Sequence, residues 1–164
     1  MKKNERKIHV IGINSFKFED LSLEVQELFH NVRHIAAPNT YIDEIKSWDS
    51  MKLIKEKNFY KSKSNKDLIQ WLKFIDSDVI LISRGDPLWF GIGRILLNNF
   101  SQAELSFYPG KTSVQLAFSK LKKSWQDIKA VSIHGRETNE LIKFLKLKEK
   151  GIAILTDPKN SNLE

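Results

Sequence analysis

The amino-acid sequence predicts an α/β protein whose mostly parallel sheets are covered by helices on both faces. Runs of β-branched and aliphatic residues typical of buried strands, such as 6–13 and 78–83, alternate with apolar residues at helical spacing. Several of these runs end in loops rich in glycine, proline or short polar residues. Strands that alternate with helices in this way form parallel β-α-β units.

The first predicted unit is a strand over 6–13 followed by a helix. The apolar positions of this helix recur every three to four residues: Leu21, Val25, Leu28 and Val32. Ser22 is the predicted N-cap, and Glu24 lies in the first turn, where the helix dipole favours a carboxylate.

The middle of the chain repeats this order after an unassigned stretch. Residues 48–64 are polar, rich in lysine and weakly patterned, so no element is predicted there. The next helix carries its apolar face at Leu68, Ile69, Leu72 and Ile75. A buried strand over 78–83 follows, and then a helix with Ile92, Ile95, Leu96 and Phe100 on its apolar face.

The last third continues the alternation. Strands are predicted at 104–108, 130–134 and 152–156. The helices between them carry Val114, Ala117, Phe118 and Leu121, and then Leu141, Phe144 and Leu145. Gly151 is predicted to stop the last helix.

Composition excludes several classes of protein. The 164 residues include no cysteine, which excludes a disulfide framework, a cysteine zinc site and a thiol nucleophile and favours a cytoplasmic location. No apolar stretch is long enough for a signal peptide or a membrane span, so no membrane partner is expected. The net charge of +7 suits nucleic acid, an anionic surface or an acidic small molecule, although the spacing of the basic residues is more typical of solvated helix faces.

Three loops that follow strands are the candidate ligand sites, because parallel sheets bind ligands at the carboxyl ends of their strands. They are 12–15, 83–87 and 109–113. Gly85 lets the backbone approach a ligand or adopt a positive φ, and Asp86 offers an acceptor for a hydroxyl or ammonium group. An ordinary turn with an N-cap accounts for the same residues.

Other kinds of site have weaker support. Backbone N–H groups and hydroxyls at Thr112 and Ser113 suit a polar ligand or a simple helix cap. The glycines match neither a Walker loop nor a dinucleotide fingerprint. Metal binding is not expected, because only His30 and His34 share a ligand spacing, and no nucleophile elbow supports a hydrolase.

Four blocks of sequence resemble the tetrapyrrole (corrin and porphyrin) methylases, in particular the precorrin-6Y type that methylates C5 of a precorrin. The blocks are 81–94, which contains Gly-Asp-Pro, 108–118, which contains Pro-Gly-Lys-Thr-Ser, 124–127 and 131–136. They occur in the order that the family shows.

This resemblance implies an S-adenosylmethionine-dependent C-methyltransferase of cobalamin biosynthesis with two α/β lobes, 1–108 and 109–164, and the cofactor in the cleft between them. The resemblance also leads us to expect a second lobe that is incomplete at the C-terminus relative to the family. The substrate would be a precorrin or cobalt-precorrin, whose many carboxylates suit the positive charge of the chain. A homodimer and a C15-methylating decarboxylase partner are also implied, and no nucleic-acid partner is.

The resemblance also implies roles for particular residues, although it names no catalytic acid or base. The implied cofactor-binding residues are Gly85, Asp86, Trp89, Thr112, Ser113, Leu155 and Thr156. The weaker candidates for the substrate side are Arg84, Lys111, His134 and Arg136. The first family loop, Gly-Ile-Gly-Pro-Gly, is replaced by Gly-Ile-Asn-Ser-Phe over 12–16, which is expected to put side chains where backbone should approach the ligand.

The sequence leaves four alternatives to this function open. Two are enzymes of the same family: a methylase for another ring position, or a methylase for the diphthamide precursor of a translation factor. The other two are a non-catalytic family member and a basic nucleic-acid-binding module. Product analysis separates the first two, and a steep salt dependence of polynucleotide binding is the signature of the last.

Overall fold

The computed structural model describes residues 6–15, 17–48, 57–133 and 138–156. The chain divides into two units, Met1–Thr112 and Ser113–Glu164. Each unit contains its own sheet and its own buried cluster of apolar side chains.

The first unit is built on a five-stranded sheet with the order β3-β2-β4-β1-β5. Its strands are β1 (Ile8–Ile13), β2 (His34–Ala36), β3 (Asn58–Tyr60), β4 (Val79–Arg84) and β5 (Leu105–Tyr108). Every neighbouring pair among them is parallel, which confirms the α/β fold class with a parallel sheet.

Strand β1 shows why the central strands read as continuous apolar runs. Side chains alternate between the two faces of a strand, so Ile8 and Val10 enter one buried cluster, whereas Ile11 and Ile13 enter the other. Both faces of the sheet are therefore buried under helices, as parallel sheets require.

Four α-helices accompany this sheet in the described part of the first unit. They are α1 (Leu23–Asn31), α2 (Asn39–Lys46), α3 (Asn65–Phe74) and α4 (Gly93–Leu97). Ser22 is the N-cap of α1, and its hydroxyl accepts a hydrogen bond from the N–H of Val25, which confirms the predicted cap. Ser64 caps α3 in the same way.

Three elements lie where no element was predicted. Strand β2 and helix α2 were not assigned, and strand β3 lies inside the stretch 48–64 that showed no clear pattern. Strand β3 has three residues and lies at the edge of the sheet, so its apolar signal is too short to detect from sequence.

The second unit contains a two-stranded parallel sheet. Its elements are α5 (Ser113–Leu121), β6 (Lys129–Ser132), α6 (Asn139–Lys146) and β7 (Ile152–Leu155). Val131, Ile133 and Leu141 form its buried cluster.

The prediction that Gly151 stops the last helix was wrong. Helix α6 ends at Lys146, and Lys148 adopts the left-handed conformation, with φ 50°, that often ends a helix. Gly151 lies just before β7, where an added Cβ would be 2.6 Å from the Cδ1 of Ile128. Close packing against Ile128 therefore accounts for this glycine.

Within the described residues, none of the helices combines the length and apolar character needed to cross a bilayer.

His9 is a buried polar residue on β1. Its Nδ1 lies 3.3 Å from the Tyr108 hydroxyl, and its Nε2 lies 4.0 Å from a carboxylate oxygen of Asp78. Burial lowers the pKa of His9 below 6.5; the charges of Asp78 and Glu24 act in the opposite direction, and the charge of Lys7 reinforces the shift. The folded protein therefore favours the neutral imidazole.

This burial predicts a pH dependence of stability. Below pH 6.5 the unfolded chain binds a proton at His9 more readily than the folded chain does. The free energy of unfolding should therefore fall as the pH is lowered from 6.5 until it reaches the lower pKa of the folded state. In His9→Gln this part of the dependence should disappear.

Urea unfolding from about pH 8 to pH 5 tests the prediction. Glu104 also has a lowered pKa, but its contribution is lost only below 4.5, outside this range. At about pH 8 His9 is neutral in both the folded and the unfolded state. The difference in unfolding free energy between the wild type and His9→Gln at that pH is therefore the pH-independent cost of the substitution. An identical slope in the wild type and in His9→Gln would contradict the assignment.

Candidate functional site

The carboxyl ends of β1 and β4 form the topological switch point of the sheet. The chain leaves β1 toward β2 on one side, and it leaves β4 toward β5 on the other side. Ligands of open α/β sheets bind at such a point. The loops that follow β1, β4 and β5 all meet there.

Three glycines bring these loops into contact without side chains. A Cβ added to Gly12 would lie 1.8 Å from the carbonyl oxygen of Gly85 and 2.6 Å from the backbone nitrogen of Gly110. A Cβ on Gly110 would lie 2.7 Å from the carbonyl oxygen of Gly12. Gly85 also has φ +63°, which L side chains rarely adopt. We call Gly12, Gly85 and Gly110 the glycine cluster.

Backbone hydrogen bonds hold the glycine cluster together. The N–H of Gly85 donates to the carbonyl of Ile13 over 3.1 Å, and the N–H of Gly110 donates to the carbonyl of Gly85 over 3.2 Å. The loops after β4 and β5 are therefore joined to each other directly over the end of β1.

Asn14 adds a side-chain contact beside this cluster. Its Nδ2 donates to the carbonyl of Lys111 over 2.7 Å, and its Oδ1 accepts from the N–H of Lys111 over 2.6 Å. The sequence departure at residue 14 therefore places a side chain among these loops, and its carboxamide is bound to the loop after β5.

The loop after β4 is a tight turn built by Asp86. A carboxylate oxygen of Asp86 accepts from the N–H of Leu88 over 2.9 Å, and its carbonyl accepts from the N–H of Trp89 over 3.2 Å. Phe90 follows with φ 53°, and its ring packs edge-on against Trp89 with 4.8 Å between the centroids. Non-glycine residues with positive φ carry backbone strain, which is often found at functional sites.

A cavity of about 1060 Å³ lies beside the glycine cluster. Its walls come from the end of β1, the start of α1 and the end of β5, and they include Asp20, Glu24 and Lys111. Burial and the Glu24 carboxylate, which the phenol contacts, raise the pKa of Tyr108, so this wall residue is uncharged at neutral pH.

The structure brings five of the predicted site residues to this edge of the first unit. Gly85 lies in the glycine cluster and Asp86 in the turn, while Lys111 and buried Thr112 belong to the loop after β5. Thr112 is adjacent to Gly85, since its Cα would lie 3.7 Å from a Cβ there. Arg84 is the exposed last residue of β4.

A sixth predicted residue, Trp89, is half-buried in the same turn that Asp86 builds. The remaining predicted residues lie in the second unit or outside the described part. Ser113 is the first residue of α5 in the second unit, Leu155 is the last residue of β7, and exposed Thr156 follows it. His134 and Arg136 lie outside the described residues.

Sequence reasoning missed several residues of this site. Gly12, Gly110 and Asn14 were quoted as loop residues but were not predicted to bind, since their proximity depends on the sheet order. Ser83, which pairs with Gly12 across β4 and β1, has a buried hydroxyl oxygen without a hydrogen-bond partner among the described residues. No group of three metal-ligating side chains occurs in the described ranges.

The fold and this candidate site define a class of α/β proteins whose loops after the parallel strands meet at a switch point and whose sequence has no dinucleotide fingerprint. The chain belongs to the tetrapyrrole (corrin/porphyrin) methylases, because the model of that family matches residues 7–164. This confirms the family, the fold class and the methyltransferase class that were predicted from the sequence.

Individual relatives agree with this assignment. A probable cobalt-precorrin-7 C(5)-methyltransferase of Methanocaldococcus jannaschii is 27% identical over 148 residues, which are 88% of this chain and 69% of that protein. A decarboxylating precorrin-6Y C(5,15)-methyltransferase of Sinorhizobium is 40% identical over 60 residues, which are 37% of this chain and 14% of that protein. The crystal structure of a precorrin-6Y methylase from Archaeoglobus fulgidus has a TM-score of 0.63 at 20% identity and covers 94% of this chain and 74% of that one.

Proposed function

We propose that this chain is an S-adenosylmethionine-dependent methyltransferase that acts at C5 of a precorrin or cobalt-precorrin in cobalamin biosynthesis. The glycine cluster is the observation that carries the proposal, because it joins the loops after β1, β4 and β5 at the switch point of a methylase fold. The names of the relatives support the ring position, and the Archaeoglobus fulgidus structure, which is named for cobalamin biosynthesis, supports the pathway.

The residues present suit S-adenosylmethionine. The glycine cluster packs the loops after β1, β4 and β5 backbone against backbone, so that their polar groups lie at one edge of the sheet. Around the cluster lie a carboxylate at Asp86, a hydroxyl at Thr112 and the buried hydroxyl of Ser83. A ligand with an ammonium group, ribose hydroxyls and a carboxylate finds matching partners in this set.

The cofactor supplies an electrophilic methyl group on a sulfonium that departs as a neutral thioether. Because the leaving group is neutral, the main task of the protein is to hold the ring carbon in line with the methyl group, within about 3 to 3.5 Å. We assign the cofactor to Gly85, Asp86, Trp89 and Thr112 in the first unit. Ser113, Leu155 and Thr156 are the corresponding assignments in the second unit.

We assign the substrate to the positive side chains at the same edge. Arg84 and Lys111 are exposed there, and each can pair with a carboxylate of the ring. His134 and Arg136 keep the same role as proposals.

The assembly and location are proposed as well. The Sinorhizobium relative is named for methylation at both C5 and C15 with decarboxylation, which supports a C15-methylating decarboxylase as partner. A homodimer in the cytoplasm is proposed from the family resemblance.

Product analysis tests the proposed function. The chain is incubated with trideuteromethyl S-adenosylmethionine and cobalt-precorrin-7 or its cobalt-free counterpart. We expect one labelled methyl group, and NMR should locate it at C5. A label on another ring carbon would show that C5 is not the position that this chain methylates. No transfer to either tetrapyrrole would overturn the proposed activity.

A pair of variants tests the role of Asp86. Asp86→Ala should weaken S-adenosylhomocysteine binding about tenfold, the effect of losing roughly 1.4 kcal/mol of polar contact. Asp86→Asn is the matched control for the turn, since its carboxamide oxygen still accepts from Leu88 while its charge is lost. Calorimetry measures both affinities, and an unchanged affinity in Asp86→Ala would remove Asp86 from the site.

A further inference from the structure

Asn14 stands where the family's first loop has its second glycine, so its role is not a family feature. The carboxamide is chemically similar to a peptide group, with one N–H donor side and one carbonyl acceptor. In this chain both sides are used, because Nδ2 donates to the carbonyl of Lys111 and Oδ1 accepts from its N–H. Asn14 thus pairs with the Lys111 backbone as a further strand residue would.

The hydrogen bonds between Asn14 and Lys111 lie next to those of the glycine cluster. Ile13 accepts from Gly85, and Gly85 accepts from Gly110, the residue before Lys111. The carbonyl of Lys111 also lies next to Gly85, since a Cβ there would be 3.2 Å from it. The orientation of the Lys111 peptide is therefore set by Asn14 on one side and by Gly85 on the other.

The consequence reaches the residue after Lys111. Thr112 is buried beside Gly85 and is assigned to the cofactor. Its position depends on the peptide that Asn14 holds. Gly110 is adapted to the same contact, since a Cβ there would lie 2.8 Å from the Oδ1 of Asn14.

We propose that Asn14 is a positioning residue that fixes the 109–112 loop in its cofactor-binding conformation, in place of the bare backbone of the family's first loop. This inference rests on the proposed function. Asn14 acts through Lys111 and Thr112, so its loss should change ligand affinity more than it changes the stability of the fold.

Three variants test the proposal by calorimetric titration with S-adenosylhomocysteine. Asn14→Ala removes both hydrogen bonds and should weaken binding about tenfold. Asn14→Asp keeps the acceptor but turns the donor into an oxygen that faces the Lys111 carbonyl, so at about pH 8 it should bind no better than Asn14→Ala. Gln70→Ala, which truncates an exposed amide side chain on α3, should bind like the wild type.

The pH profile separates hydrogen bonding from side-chain volume. Once protonated, the carboxyl group introduced by Asn14→Asp can donate again, so the affinity of this variant relative to the wild type should improve as the pH falls from about 6 to 4, the range in which an aspartic carboxyl begins to titrate. The relative affinity of Asn14→Ala should stay level over the same range.

Hydrogen exchange in the ligand-free chain gives a second readout. The Lys111 amide should exchange faster in Asn14→Ala than in the wild type, whereas the Gly110 amide, which donates to Gly85, serves as the internal reference.

The outcomes distinguish this inference from the proposed function. Absence of S-adenosylhomocysteine binding by the wild type would overturn both. Wild-type binding with an unchanged affinity in Asn14→Ala, or with unchanged exchange at Lys111, would overturn the role of Asn14 alone.

Discussion

Replacing Gly12 with alanine is expected to abolish most of the cofactor affinity. The new Cβ would lie 1.8 Å from the Gly85 carbonyl oxygen, a distance that requires the backbone of the loops to move apart. Overpacking of this kind costs about 1 to 3 kcal/mol, and because the clash is with backbone we expect the upper end of this range, roughly a hundredfold loss of affinity. Titration with S-adenosylhomocysteine measures the loss.

Gly151→Ala is the matched control for this substitution. Its Cβ would also be close to a neighbouring atom, at 2.6 Å, but that atom is the end of the flexible Ile128 side chain. The side chain can move, so we expect near wild-type affinity. Gly12→Ala with wild-type affinity would show that the close approach at the glycine cluster is not needed for binding.

Replacing Arg6 with alanine is expected to be the most destabilising surface substitution that we propose. The guanidinium donates to the carbonyls of Leu72 and Ile75 at the end of α3, and it pairs with Glu104 over 2.8 Å. It also lies 5.7 Å from the centre of the Phe100 ring. Arg6 therefore joins the chain before β1 to α3 and to the turn before β5.

The expected loss is about 2 to 3 kcal/mol in the free energy of unfolding, since charged hydrogen bonds contribute about 1.5 to 3 kcal/mol and a partner is left unpaired. The Arg6 side chain is 14% exposed and that of Glu104 is 30% exposed. Because water partly screens this pair, we expect a smaller loss of unfolding free energy than for a fully buried pair. Hydrogen bonds from Ser101, and then the contact with Arg6, lower the pKa of Glu104, in agreement with a stabilised carboxylate.

Urea unfolding followed by tryptophan fluorescence measures this loss. Lys66→Ala, at an exposed position on α3, is the control for removing a positive charge. A double-mutant cycle with Glu104→Gln isolates the Arg6–Glu104 contribution. A change below about 0.5 kcal/mol in Arg6→Ala would place it among ordinary surface substitutions and reject the role assigned to it.

The fold was predictable where burial is two-sided or where a cap has a clear signal. Strands β1 and β4 are covered on both faces, so they are continuous apolar runs in the sequence. Ser22 before the apolar positions of α1 marked that helix correctly. Strand β3 was missed because its three residues lie at the edge of the sheet.

The candidate site was predictable only in part. Gly85 and Asp86 lie in a recognisable turn, and the family resemblance gave them a role. The contact of Gly12 with Gly85 and Gly110 joins loops that are far apart in sequence, and it follows from the strand order rather than from local pattern. Asn14 shows the same limit, because its residue type indicates neither its partner Lys111 nor the direction of its side chain.

Calorimetric titration of residues 1–164 with S-adenosylhomocysteine shows directly whether these loops bind the cofactor. This product form of the cofactor binds without turnover. We predict saturable binding at one site per chain, weakened in Gly12→Ala and Asp86→Ala and retained in Gly151→Ala. A folded wild-type chain that binds no S-adenosylhomocysteine would contradict the claim that these loops form a cofactor site.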